Sequence, residues 1–461
     1  MNGAVELPLG QPELEFRAAG DTLVRRSVLP SGIRVLTERV PGSRSATIGF
    51  WVAVGSRDEH AAGSGHPATH GSTHFLEHLL FKGTGTRSAL DIAVSFDAVG
   101  GEHNAVTAKE YTCYYAKVQD RDLTMAVEVL ADMFTSSVLD PEEFESERRV
   151  ILEELAMAGD DPADVANERF FEAVLGSHPL ARPIGGDPAA IDAATRDAVW
   201  EHYRANYRPN DLVVTAAGAV DHDDLVAGLT AALGGAGWRL DEPAAPEERR
   251  STATPLLDGT SPLNVVERPG EQVNLMLGVP GLVATDERRA VLSVLNTVFG
   301  AGMSSRLFQQ IRERRGLAYS VYSFAPGYSD AGVFGMYAGC APKNAPTVAA
   351  LLRTELERLA HHGVTADELA RAAGYLGGAS ALALEDSDTR MSRLGRAELA
   401  LGEFADLDEA LRRVARVTVD DVQALAADLA DRPFSLVAVG PVEQTAFRSV
   451  VDAPEPRTDV A

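Results

Sequence analysis

The segment GSTHFLEHLLFKGT, residues 71–84, sets two histidines and a glutamate into a run of Phe and Leu. Such a run ordinarily forms core, where an unpaired imidazole or carboxylate is costly unless it is satisfied or binds something. With Ser72 or Thr73 as cap and Gly83 as stop signal, the pattern predicts a helix from about His74 to Lys82. His74 and His78 are four residues apart on it and share a face, with Glu77 beside them. Two imidazoles so spaced can hold one zinc ion while the carboxylate between them reaches its open coordination position. The order H-x-x-E-H inverts a common zinc motif. In a chain with 11 histidines among 461 residues, chance supplies it about 0.02 times.

A catalytic zinc needs a third protein ligand. The best source is DPEEFESERRVILEELAMA, residues 140–158, read as a helix with Asp140 as cap, Pro141 in the first turn and Glu143 as capping-box partner. Glu153 and Glu154 compete for the role. Glu154 lies seven residues beyond Glu147 and shares its face, whereas Glu153, four residues from Arg149, suits an ordinary surface ion pair. Glu154 is the ligand on this reading, and Glu147 is the carboxylate that orients a histidine. A His/His/Glu set favours Zn2+ over cobalt or manganese. His60, His66 and His70 stand among Gly, Ser, Pro and Thr just before the motif and read as a loop rather than as ligands.

These residues need elements to hold them. A chain of 461 residues exceeds one compact core and predicts two domains. Residues 236–262, with four prolines and no periodicity, read as a linker between a first domain at 25–235 and a second at 263–445. LVVTAAGAV at 212–220 resembles FSLVAVGPV at 434–442 with Gly218 over Gly440, an offset of 222. In each half, strands such as SGIRVLTERV and SATIGFWVAVGS precede helices and a late apolar strand. The fold class expected is α+β, two homologous sheet-plus-helix layers, each with an antiparallel or mixed sheet covered on one face. Only the first carries the metal motif: at the offset it falls on NTVFG, 296–300, and no carboxylate occurs from Ala370 to Leu384.

The motif HFLEHLLFKGT, the segment GGEHNAVTAKEYTCYYAKV at 100–118 and the ERRVILEEL helix together resemble the pitrilysin family of zinc peptidases, in its bacterial branch similar to the mitochondrial processing peptidase. The resemblance covers about residues 25–445. It implies one zinc per chain held by His74, His78 and Glu154, Glu147 behind them, and peptide-bond hydrolysis with Glu77 as general base. It also places Asn104 and Ala105 where an extended substrate joins a sheet edge, and no role for His103, which reads as a surface residue. Asp164 and Glu168, in an acidic cluster after the third ligand, become candidates for binding a basic substrate side chain. GMSSRLFQQIRERRGLAYSVYS at 302–323 matches the second-domain signature, in which Arg312 and Tyr319 contact substrate.

The family chamber takes four such domains, so the resemblance implies a dimer, with a homodimer simpler than a heterodimer with a paralogue. The alternative is a non-catalytic scaffold subunit of the core type. A formal net charge of −25 argues against nucleic acid and anionic membranes as partners. Two distant cysteines, no signal-peptide pattern and no long apolar run lead to the expectation of a cytoplasmic protein.

Overall fold

The computed structural model describes residues 3–451 apart from 62, 63 and 67. Contacts divide the chain into two compact units. The first comprises Met1–Ala156, Pro183–Arg250 and Ala379–Ala410, and the second Met157–Arg182, Ser251–Gly378 and Leu411–Ala461.

The first unit is built on a seven-stranded sheet of β1 (Glu13–Ala18), β2 (Thr22–Val28), β3 (Arg34–Arg39), β4 (Ser45–Val52), β5 (Glu102–Thr107), β6 (Thr112–Gln119) and β7 (Val213–Gly218), in the order β1-β2-β3-β7-β4-β6-β5. All pairs are antiparallel except β3 with β7. Three helices matter for the site: α1 (Ser72–Leu80), α2 (Leu123–Ser136) and α3 (Pro141–Asp160). Ile48, Phe50 and Val52 of β4 join Val214 and Ala216 of β7 in one core with Phe75, Leu76, Leu79 and Phe134 from the helices. Trp51, Val213 and Ala217 point to the other face, as the two-residue period of a strand requires.

The second unit has a five-stranded sheet of β8 (Leu263–Glu267), β9 (Val273–Pro280), β10 (Ala318–Phe324), β11 (Val333–Cys340) and β12 (Ser435–Gly440), in the order β10-β11-β9-β12-β8. Its single parallel pair is β12 with β8. The five-strand run β3-β7-β4-β6-β5 of the first sheet therefore repeats as β8-β12-β9-β11-β10, which is the duplication that the Gly218/Gly440 echo pointed to. Both glycines take positive φ, 111° and 149°. A Cβ on Gly218 would stand 2.2 Å from Ser45 O, and one on Gly440 2.7 Å from Gln272 O, so each glycine lets the neighbouring strand approach at the same point.

Two helices cross between the halves of the sequence. α4 (Pro162–Leu175) belongs to the second unit, where Ala166, Phe170, Phe171 and Val174 pack on Met276, Val437 and Val439. The same unit contains α5 (Arg289–Gly300) and α6 (Ala345–His362). α7 (Ser387–Arg396) belongs to the first unit, where Met391 and Leu394 pack beside Leu36, Trp51 and Val213. Each sheet is thus covered on both faces, not on one as the strand patterns alone suggested, and the units are not the contiguous stretches 25–235 and 263–445. The first sheet also starts earlier, at Glu13. Residues 236–262 have no helix or strand, yet Arg250 binds Asp58 at 2.6 Å and Arg249 binds Leu7 O at 2.7 Å, which ties the first part of this segment to the first unit.

Candidate metal centre

The helix that carries His74 and His78 is α1, Ser72–Leu80, slightly earlier than the sequence implied. Its N-cap is Gly71 at φ 89°, not Ser72 or Thr73, and no side chain of the cap residue accepts a bond. The capping acceptor comes from upstream: Glu59 takes the Gly71 and Thr73 amides, each at 2.7 Å. Apolar positions Phe75, Leu76, Leu79 and Leu80 bury one face of α1, which leaves His74, Glu77 and His78 on the other. Phe75 stacks on Phe144 of α3 with ring centroids 4.3 Å apart. Arg148 lies 5.1 Å from the Phe144 ring and donates to Asp192 O and Ala194 O, so α1 and α3 meet through a packed, pinned contact.

That contact brings the sequence-predicted ligands together. Ligand atoms of His74, His78 and Glu154 lie within 4.8 Å of one another, and this is the metal-type group found among the described residues. His74 Nε2 is 3.2 Å from His78 Nε2, and Glu154 Oε2 is 3.9 Å and 3.6 Å from them. Tetrahedral zinc with ligands at about 2.0–2.2 Å sets donor-to-donor edges of about 3.3–3.6 Å, so the donor set fits the ion. Burial pushes the His74 imidazole down to about 4, with His78 adding to the effect and Glu154 opposing it. The neutral form is the one that ligates.

Glu147 sits where the two-turn spacing put it. Its side chain is buried, its Oε2 is 2.9 Å from His78 Nδ1, and Lys82 Nζ holds its other oxygen at 2.7 Å. One imidazole is therefore spanned by two carboxylates of α3, Glu147 at Nδ1 and Glu154 near Nε2, and the Glu147 contact fixes its ring. His74 has no such support: its buried Nδ1 has no hydrogen-bond partner. Glu77 accepts a short hydrogen bond from Thr107 Oγ1 at the end of β5. Sequence reading missed Thr107, Lys82 and Glu59. The alternation that turns Ala105 and Thr107 to the same side of β5 could have found Thr107; nothing local marks Glu59.

Asn104 and Ala105 lie on β5, one of the two edge strands of the seven, with Asn104 exposed and Ala105 buried. His103 is not simply a surface residue: its ring stacks on Phe96 at 4.4 Å, and burial lowers its pKa. His60 and His66 stack at 3.7 Å, and His60 pairs with Thr69 in a short bridge. His70 stands 3.8 Å from Asp187.

The remaining candidates belong to the second unit. Asp164 and Glu168 are exposed on α4, which starts afresh after Asp161 caps it by accepting the Ala163 amide at 2.7 Å. Arg312 and Tyr319 meet: Arg312 Nη1 donates to Tyr319 O at 2.8 Å, and its guanidinium lies 4.5 Å from the Tyr319 ring centroid. Tyr319 is 75% exposed on β10, an edge strand of its sheet. Arg312 is presented from a π-helical turn, Phe308–Glu313.

The profile described as insulinase (peptidase family M16) matches residues 34–188, and that of the peptidase M16 inactive domain matches 193–376. An uncharacterized zinc protease of Streptomyces coelicolor is 48% identical over 93% of this chain and 92% of its own length. A relative in Mycobacterium tuberculosis with the same description is 44% identical over 90% of this chain and 93% of its own. Among solved structures, a protease from Helicobacter pylori superposes with a TM-score of 0.79 at 21% identity, covering 90% of this chain and 98% of that one. The chain belongs to peptidase family M16, the pitrilysin-like zinc peptidases. The "inactive domain" profile runs from the end of the first half into the second, where the positions matching the histidines and Glu154 are Asn296, Gly300 and Leu376.

Proposed function

We infer that this chain is a zinc-dependent endopeptidase that hydrolyses peptides or unfolded segments. One observation carries the reading: the close group of His74, His78 and Glu154, with Glu77 on the same helix and an outermost strand alongside. Zinc held there would polarise a scissile carbonyl and make a water molecule easier to deprotonate. Glu77 takes the water's proton and delivers it to the leaving amine, and Thr107 steadies its carboxylate meanwhile. An extended peptide pairs its main chain with β5 at Asn104 and Ala105, which gives weak sequence selectivity. Asp164 and Glu168 supply carboxylates for a basic side chain, and the stacked Arg312/Tyr319 pair supplies a preformed contact for substrate.

Ligand set and Arg312/Tyr319 in one chain support a homodimer over a pairing with a paralogue. Net charge of −25 supports a working place away from nucleic acid and anionic membranes, and two buried free cysteines support the cytoplasm.

The test compares wild type with Glu77→Gln and Glu154→Gln for bound metal and for hydrolysis of a quenched-fluorescent basic peptide. Wild type is expected to carry about one zinc per chain and to cleave. Glu77→Gln keeps the metal and loses turnover, while Glu154→Gln loses the metal. A folded, zinc-supplemented wild type without metal overturns the reading. Zinc binding without cleavage across a peptide library points to the scaffold subunit.

A further inference from the structure

The two histidines of the metal helix are supported differently. His78 has Glu147 behind it, whereas the outer nitrogen of His74 has no partner. The position of the His74 ring must therefore come from the backbone that carries it, the first turn of α1. That turn cannot cap itself. A Cβ on Gly71 would stand 2.7 Å from Gly185 O and 2.5 Å from Ile191 Cδ1, so the cap residue has no side chain to offer.

Glu59 fills the gap from twelve positions upstream. Both of its oxygens are used, one on the Gly71 amide and one on the Thr73 amide, and the residue is 1% exposed. Burial pushes the Glu59 carboxyl up to about 8, while the two amides and the Thr73 hydroxyl favour its charged form, the form that suits the positive end of the helix dipole. Behind it runs a directional chain. Asn206 Nδ2 can only donate, and it lies 3.0 Å from His202 Nδ1, which makes that nitrogen the acceptor and Nε2 the protonated one. His202 Nε2, 3.3 Å from Thr73 Oγ1, then donates to the threonine, and the Thr73 hydroxyl is left to donate to Glu59, with which it hydrogen-bonds. His202 is 2% exposed, and burial pushes its imidazole down to about 4, in keeping with a single ring proton.

We propose that Glu59 is a positioning residue for the metal: through the Gly71 and Thr73 amides, and backed by Thr73 and His202, it sets where His74 stands. This rests on the metal reading above and not on peptide cleavage.

The test is zinc affinity of the purified full chain, measured by competition with a chromogenic chelator, with the visible spectrum of the cobalt-substituted protein as a second readout. Glu59→Ala is expected to weaken zinc binding about 10–100-fold and to alter the cobalt spectrum, with far-UV circular dichroism of the metal-free form as in wild type. Glu59→Gln keeps one acceptor and falls between. Thr73→Val, which removes only the hydroxyl, weakens binding by a smaller factor that Thr73→Ser restores. Should Glu59→Ala fail to fold, Glu59→Gln and the Thr73 pair decide the matter. If those variants bind zinc as wild type does, with an unchanged cobalt spectrum and at most a lower Tm, Glu59 is merely structural and the proposal falls. A wild type that binds zinc but cleaves nothing leaves it standing while the endopeptidase reading fails; a wild type without zinc overturns both.

Discussion

In the first unit, the helix beside the edge strand β5 carries His74, Glu77 and His78; in the second, the helix beside the edge strand β10 carries Asn296, Phe299 and Gly300 at the 222 offset. Asn296 is turned to the strand, where its Oδ1 accepts from Ser323 Oγ at 2.7 Å. Phe299 is buried in the core. Gly300 admits the strand so closely that a Cβ would stand 2.4 Å from Ser323 N. The counterparts of Glu147 and Glu154 are Leu369 and Leu376, both packed against the second core. Strand order is shared, so the layer itself does not require a metal. Side chains at a few helix positions, and the room between helix and strand, decide whether one can be held.

The exchanged helices differ as sharply. α4 meets its sheet through aromatic and aliphatic side chains. α7 and the residues after it add buried charge to the apolar contact of Met391 and Leu394. Glu398 and Arg26 pair at 2.9 Å, both fully buried, and Arg390 and Arg393 reach the fully buried Glu38. The polar route specifies one partner, since a buried ion has few acceptable alternatives.

The largest stability effect is expected at this polar contact. Glu398→Gln leaves Arg26, Arg34 and Arg249 facing an uncharged group and should cost about 3–5 kcal/mol in denaturant unfolding. A loss below 1 kcal/mol would show that the two exchanged helices are held alike. Next comes Gly300→His, which copies the second histidine into the second unit. It is expected to destabilise by about 3 kcal/mol and to add no zinc by metal analysis; a second bound zinc would break the contrast between the units. Glu147→Gln should weaken zinc binding about 10–100-fold, read by chelator competition, because the outer partner of His78 loses its charge. The smallest effect concerns Glu368, which a hydrogen bond from Arg306 holds down at about 2. Its folded pKa lies below its unfolded value, so the pair stabilises above about pH 4.5, and that contribution is lost as pH falls towards 2. Glu368→Gln should cost under about 1 kcal/mol at pH 7 and flatten the acid limb of a Tm-against-pH curve.

What could be read from the sequence followed from local spacing. The i, i+4 histidines and the i, i+7 glutamates share faces because helix geometry is regular, and the repeated apolar strand ending in glycine marked the duplication. α3 begins where Asp140 and Pro141 announced it, with Asp140 accepting the Glu142 amide at 2.8 Å. What could not be read joins distant residues. Glu59 caps a helix that its own sequence neighbourhood does not contain, and Thr107 reaches Glu77 from another element. The exchange of α4 and α7 depends on which sheet each helix finds, and an amphipathic pattern names a buried face without naming its partner.

The crossing of α7 has a consequence for synthesis. The first unit includes residues up to Ala410, so a growing chain that has already made His74, His78 and Glu154 must lengthen by some 256 residues before that sheet receives its last cover. At about 5–20 residues per second this is roughly 13–50 s. Through that interval the Trp51 face of the first sheet waits for its helix, and the unit is completed only after four of the five strands of the second sheet have been made.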